Sequence, residues 1–478
     1  MSLRISPSTF SQITMQGQTT PTITSQKVAV IGAGVSGLVA ARELHQEGHQ
    51  VVVFEQNNKI GGTWAYEPNT DSDLLSLDPS RTIVHTSLYE SLRTNLPREA
   101  MGFRAYPFIA KEEDKLRDPR RFPGHREVLH YLEDFVSEFG LSELIRFETE
   151  VVHIEFMEQR KCAVRSRTKD GNVDNEVFNA VVVCNGHHTV PNVAEVPGID
   201  VWPGKQIHSH NYRVPNPFSE KVVVLVGGSY SAFDISREIA GVAKEVHVAS
   251  RYITNANPTK QLGYDNLWLH SMIESAHEDG TLIFQDESSV VVDVILHCTG
   301  YKFDFPFLDR DVVTVDDNRV GLLYQHIFPP KLAPWLSFVG LTWKFATFPL
   351  YEVQSKWVAG ILSGKISLPT QDEMILDVEA FYLKFEADGV PKRYTHNIWD
   401  YQFKYYDWLA AQCRILPIEE WRNQMYAATG MNMNVRPETY RDEWEDQNLI
   451  LQAHDEFLQY YMLSLDKGNK IKIFSPLC

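Results

Sequence analysis

The sequence predicts an α/β protein, and three observations predict it. An apolar strand runs into a glycine turn and then a helix at VAVIGAGVSGLVAARE, residues 28–43. A second apolar run enters a similar turn at VVVLVGGSYSAFDI, Val222 to Ile235. The first opening continues into another strand, Gln50 to Phe54, and the second returns through an apolar strand at Val290 to Cys298. Each therefore reads as a βαβ unit with a phosphate-cradling turn. Together they predict two Rossmann-like dinucleotide-binding domains, one inserted in the other.

The elements follow in order. Residues 1–26 are rich in Ser, Thr and Gln, with Arg4 as the sole charged side chain, and are expected to form a disordered tail. An organelle transit peptide is the alternative reading, because such segments are also poor in acids. The strand Lys27 to Ile31 is followed by a helix from about Gly37 to Gln46. Loops rich in Ser, Asp, Pro and Asn are expected from Asp71 to Arg104. In GHREVLHYLEDFVSEFG, Val128, Leu132, Phe135 and Phe139 share one helical face. Strands are expected around Phe147 to Phe156 and at Ala180 to Cys184. After LSFVGL comes a helix near Tyr351 to Gly360, then an aromatic-rich helical extension to Cys478. The first domain should thus comprise 27–205 and 326–478, with 206–325 as the insertion.

Bulk properties narrow the function. With 478 residues the chain has room for two or three domains, and 43% apolar content is ordinary for a globular protein. Lys and Arg number 45 against 62 Asp and Glu, a net charge of −17, which argues against nucleic acid as a partner. No apolar run reaches the roughly 18–20 residues of a membrane span. Five widely spaced cysteines (Cys162, Cys184, Cys298, Cys413, Cys478) form no C-x-x-C, so a reducing, cytoplasmic location is expected.

The two turns differ in a way that has chemical meaning. In the first, Gly32 allows the tight bend, Gly34 lets the backbone approach a pyrophosphate, and Gly37 allows close helix packing. Ala33, Val35 and Ser36 complete the turn, whose helix N-terminus offers free N–H groups to phosphate. Glu55 stands 23 positions after Gly32, where a carboxylate accepts from an adenosine ribose. The GGTW that follows supplies Gly62, Thr63 and Trp64 as further cofactor contacts. In the second turn, Gly227, Gly228, Ser229, Tyr230, Ser231 and Ala232 keep small residues where glycines are usual. The same count of 23 from Gly227 reaches Ser250, followed by Arg251. A carboxylate would repel a 2′-phosphate, whereas Arg grips it. The first turn is therefore expected to hold FAD and the second NADPH.

Such a flavoprotein must pass its electrons on. Paired cysteines, a nucleophile elbow and H-E-x-x-H are all absent. His187-His188 and His208-x-His210 lack a third ligand at a telling spacing, so no metal is expected. Molecular oxygen is the natural acceptor.

Further residues carry a resemblance. WPGKQIHSHNY, Trp202 to Tyr212, resembles the F-x-G-x-x-x-H-x-x-x-Y signature of flavin-containing monooxygenases, with Trp202 in place of Phe. TGY, Thr299 to Tyr301, resembles that family's second linking motif. SLYESLRTNLPREAMGF and GGSYSAFDISREIA are most similar to the plant group that S-oxygenates thioethers, such as glucosinolate and S-alkylcysteine S-oxygenases. The resemblance implies that NADPH reduces FAD, that O2 adds at the flavin C4a to give a hydroperoxide, and that NADP+ stays to shield it. A small thioether then takes the terminal oxygen and becomes a sulfoxide. It further implies that Asn95, in RTN, is the active-site Asn. Gln354 and Trp357 either line the flavin's pyrimidine edge or pack the core. N-oxygenation and Baeyer–Villiger insertion are rival readings within the same cofactor chemistry. A redox sensor that releases peroxide is a rival from another class.

Overall fold

The computed structural model describes residues 24–158, 161–254 and 257–466. The tail expected over 1–26 thus lies outside the described residues up to residue 23, as does Cys478. From the amino end, β1 (Lys27–Ile31), α1 (Val35–Gln46) and β2 (Gln50–Phe54) form a parallel βαβ unit. Two helices, α2 (Arg98–Met101) and α3 (His125–Glu138), precede β3 (Ile145–Arg146). An antiparallel meander follows as β4 (Thr149–Met157), β5 (Lys161–Thr168) and β6 (Val173–Phe178). The chain then adds β7 (Ala180–Val183) to the first sheet and leaves it through β8 (Val190–Pro191).

The second sheet takes β9 (Lys205–His208), β10 (Val222–Val226), then after α4 (Tyr230–Ala240) β11 (Glu245–Ala249), β12 (Thr259–Lys260) and β13 (Leu267–His270). A second meander, β14 (Ile273–Ala276), β15 (Thr281–Phe284) and β16 (Ser289–Val291), leads into β17 (Val294–His297). The single apolar strand expected at Val290 to Cys298 is thus two, broken at Val292 and Asp293. β18 (Tyr301–Lys302) returns to pair with β8, and β19 (Val315–Asp316) pairs with β20 (Arg319–Val320). β21 (Leu336–Phe338) closes the first sheet in the order β21-β7-β1-β2-β3, and the second sheet runs β12-β13-β11-β10-β17-β9. Five helices end the described chain: α5 (Thr347–Leu362), α6 (Gln371–Ala387), α7 (Gln402–Gln412), α8 (Glu420–Val435) and α9 (Gln447–Asp466).

The apolar runs explain the layers. Val28 and Val30 point to one face of the first sheet, where α1, α3, α5 and α7 supply Leu38, Phe135, Trp357 and Leu409. Ala29 and Ile31 point to the other, which β4–β6 and the residues around Phe303–Leu323 cover. With both faces buried, the inner positions of β1, β2 and β7 are apolar in succession, which is why these strands read as continuous runs. The second sheet is covered likewise, by α4 on one face and by the β14–β16 meander with Val196 and Trp202 on the other. Val196 and Trp202 already belong to the second core and the side chains from Phe303 to the first, while Tyr89, far earlier in the chain, also packs into the second. No helix among the described residues is long and apolar enough to cross a membrane.

Candidate functional site

The two glycine turns occupy one register. Ile31 pairs with Phe54, and the N–H of Gly32 donates to the Phe54 carbonyl at 2.8 Å. Val226 pairs with Ala249, and the N–H of Gly227 donates to the Ala249 carbonyl at 2.9 Å. Glu55 and Ser250 are thus structural equivalents, each the first residue past its strand.

Both bends press against the neighbouring strand's end. Gly32 sits at φ 103° and Gly227 at φ 137°, in the region that side chains rarely adopt. A Cβ on Gly32 would meet the Cys184 carbonyl oxygen at 2.6 Å, and one on Gly227 would overlap that of Cys298. Cys184 and Cys298 therefore back the two turns at matching places, a role the spacing of the cysteines did not signal. Burial pushes both thiols up to about 12, which removes them as redox groups.

Around the first turn, Val35, Ser36 and Gly37 are buried within α1. The Gly61 N–H donates to the Ala33 carbonyl at 2.9 Å, and a Cβ on Gly62 would come within 3.0 Å of Gly34. The GGTW segment, a 3-10 turn over Gly62–Trp64, therefore lies against the glycine turn, backbone to backbone. Trp64 stands edge-on to Phe348 at the start of α5 (6.4 Å). Glu55 is buried; its Oε2 accepts the Ala33 N–H at 2.8 Å and its Oε1 the Asn57 N–H at 2.8 Å. Burial raises the Glu55 carboxyl above its ordinary value, with the Asn57 and Ala33 N–H groups working against it.

The second turn is open. Gly228, Ser229, Tyr230 and Ser231 are exposed, and only Ala232 is buried. Gly34 and Ser229 are the helix N-caps, and neither contributes a side-chain cap, so both helix N-termini present uncapped N–H groups. The Ser250 hydroxyl is turned toward its own backbone. It is buried against Gly228 and accepts the Tyr252 N–H at 3.2 Å. Arg251 is exposed beside the Tyr252 ring and has no carboxylate partner among the described residues.

Asn95 stands on a segment that touches both turns. The Thr86 hydroxyl donates to the Thr63 carbonyl at 2.7 Å, while the Tyr89 hydroxyl donates to Asp234 of α4 at 3.3 Å. Asn95 itself is half-buried. The linking motifs meet as well. The Thr299 hydroxyl donates to the Asn192 carbonyl, and the Tyr301 ring stands edge-on to His208 (5.3 Å) and His210 (5.9 Å). His208 Nδ1 accepts the His210 N–H, and His210 Nε2 donates to the Val84 carbonyl at 2.7 Å. These histidines tie strands and loops together. No group of three metal-ligating side chains occurs among the described residues. Trp357 packs between Phe328 and Trp408, and Gln354 donates to the Tyr405 hydroxyl at 3.2 Å, which places both in the core under α7.

Two dinucleotide turns of one register, one enclosed and one open, are the frame of a flavoprotein fed by a second nucleotide. The chain matches the flavin-binding monooxygenase-like family over residues 25–256 and 252–417 and belongs to it; it is a flavin-dependent monooxygenase. It is 54% identical to flavin-containing monooxygenase FMO GS-OX-like 3 of Arabidopsis thaliana, over 91% of this chain and 98% of that protein. It is 56% identical to FMO GS-OX5 of the same plant, over 92% and 96%. Its fold superimposes on S-allyl-L-cysteine S-oxygenase from Allium sativum with a TM-score of 0.90, at 58% identity over 92% of this chain and 100% of that one. The match to Tmm from Pelagibacter sp. strain HTCC7211 is at TM-score 0.74 and 26% identity, over 87% and 93%.

Proposed function

We propose that this chain binds FAD at the first turn and NADPH at the second, and uses them to convert a small thioether to its sulfoxide. The observation that carries the cofactor reading is what stands just past the second strand of each unit, Glu55 in the first and Arg251, the neighbour of the matched Ser250, in the second. Glu55, acceptor-only and buried, suits a ribose hydroxyl; Arg251, exposed and without a carboxylate partner, suits a 2′-phosphate. The S-oxygenase from Allium sativum, at 58% identity, supports sulfur as the atom oxidised.

The reaction balances as thioether, O2, NADPH and a proton giving sulfoxide, water and NADP+. The flavin, when bound, supplies acceptance of two electrons and activation of O2. The chain's own residues bind and orient. The bare Gly34 and Gly62 backbones and the α1 N-terminus receive one pyrophosphate, and the uncapped α4 N-terminus receives the other. The enclosed first turn fits a resident cofactor, and the open second turn one that comes and goes. Asn95, half-buried on the segment that touches both turns, is the amide assigned to donate to an oxygen of the reacting atoms. The four described cysteines are free thiols, which goes with a cytoplasmic location.

The test is oxidation of NADPH by the flavin-loaded protein with S-allyl-L-cysteine, an alkyl amine and a cyclic ketone supplied in turn. One sulfoxide per NADPH, formed from the thioether alone, supports the reading. N-oxide or lactone as the main product, or peroxide alone, overturns it.

A further inference from the structure

The two units are also joined by a segment that carries no nucleotide motif. Residues 436–446, between α8 and α9, bind the second unit with one set of side chains and the Asn95 segment with another. On the second unit, Glu438 accepts from Arg237 (2.5 Å) and from the Tyr264 hydroxyl (2.8 Å). On the other side, Asp442 takes both Nη atoms of Arg93 (2.9 and 2.8 Å), and Asp446 takes both Nη atoms of Arg121 (2.6 and 2.8 Å).

Arg441 does both at once. Its Nη2 donates to Asp234 Oδ2 at 2.6 Å, one helical turn behind the second glycine turn, and its Nε donates to the Thr94 carbonyl at 3.0 Å. Thr94 is the residue before Asn95. Its own hydroxyl is buried without a hydrogen-bond partner among the described residues, so its carbonyl's bond to Arg441 is the side-chain tie that fixes this peptide. Asp234 also accepts from Tyr89 of the same segment. A planar guanidinium spreads five N–H donors over a rigid fork and so holds partners on two sides at fixed geometry, whereas an ammonium is a compact point donor on a flexible stem.

We propose that Arg441 is a positioning residue that fixes Asn95 relative to the second nucleotide turn. It keeps the group that meets the reacting oxygen in register with the bound nicotinamide nucleotide. This rests on the reading above, in which the second turn holds NADPH and Asn95 faces the reacting atoms. Loosening the tie leaves hydride delivery intact but admits water, so that reducing equivalents end as peroxide.

The experiment compares wild type, Arg441→Gln, Asp234→Asn and the double variant, each loaded with FAD and given NADPH and S-allyl-L-cysteine. Sulfoxide and peroxide are counted per NADPH, with flavin content and melting temperature alongside. Arg441→Gln should oxidise NADPH at a wild-type rate yet yield severalfold less sulfoxide, with peroxide making up the difference. Asp234→Asn should do the same, and the double variant should be no worse than either. An unchanged yield in Arg441→Gln, or additive losses, overturns the proposal. So does a parallel fall in NADPH oxidation, sulfoxide and melting temperature, the mark of a structural role. Should Arg441→Gln not fold, Arg441→Lys serves: a reduced yield supports the proposal and a wild-type yield overturns it. A wild type that makes no sulfoxide defeats the function reading first, and this inference with it.

Discussion

A Cβ on Gly37 would overlap the carbonyl oxygen of Gly32, five residues earlier in the same turn. The obstacle is backbone, so nothing can swing aside. Gly37→Ala should cost about 3 kcal/mol or more and abolish flavin retention. At the equivalent place in the second unit Ala232 already fits, in the first turn of α4 on its buried face. Ala232→Gly should cost only about 1 kcal/mol, the helix penalty of glycine. Thermal melts of the two variants should therefore differ sharply; equal effects would mean that the two turns are packed alike.

On the proposed reading, Arg251 is the residue expected to separate the two nicotinamide nucleotides. Arg251→Ala should weaken NADPH about tenfold to a hundredfold, the worth of a charge-assisted contact, and leave NADH nearly unchanged. Equal losses for both nucleotides in steady-state KM values would place the 2′-phosphate elsewhere.

Asn95 should act after reduction. Asn95→Ala is expected to bleach the flavin with NADPH as fast as the wild type, while sulfoxide formation falls by a hundredfold or so. Slow bleaching in an anaerobic mixing experiment would show that the residue serves the first half of the reaction instead.

Buried histidines set an acid limit. Burial holds His297 and His326 down to about 4; His247 lies at about 4 through burial and then His270, and His208 at about 3 through burial and then His210 and His297. The unfolded chain binds these protons near pH 6.5 and the folded chain does not, so stability present above that value is lost as pH falls toward 4. Each contributes at most about 1.4 kcal/mol per pH unit. Melting temperature should therefore drop steadily from pH 7 to pH 5. A flat profile would show that the imidazoles are not the groups that matter.

The nucleotide turns were legible because strand, glycine, helix and terminal residue are local. A fixed count from Gly32 and Gly227 found Glu55 and Ser250 at equivalent positions. The count could not tell that the Ser250 hydroxyl turns inward to its own backbone, since that depends on Gly228 standing against it. The tie between Arg441 and the Asn95 segment was invisible for another reason. Arg441 meets Thr94 across 347 residues of chain, and no periodicity encodes such a pairing. Which core the chain enters at each crossing is not written in the sequence, because aromatic residues such as Phe303 and Phe305 look the same whichever core they join.

The order of strands in the first sheet bears on how the chain is made. β1 and β2 emerge from the ribosome early, yet their sheet lacks its last strand until Leu336–Phe338 has been synthesised. The second sheet is drawn from one continuous stretch, Lys205 to His297, and can close while the rest is still being translated. The part born first is completed last. In the interval its strands have α1 and α3 on one face and β4–β6 on the other, while the cover that α5 and α7 supply is still to be made, so the nascent amino-terminal portion carries apolar surface that a chaperone would have to shield.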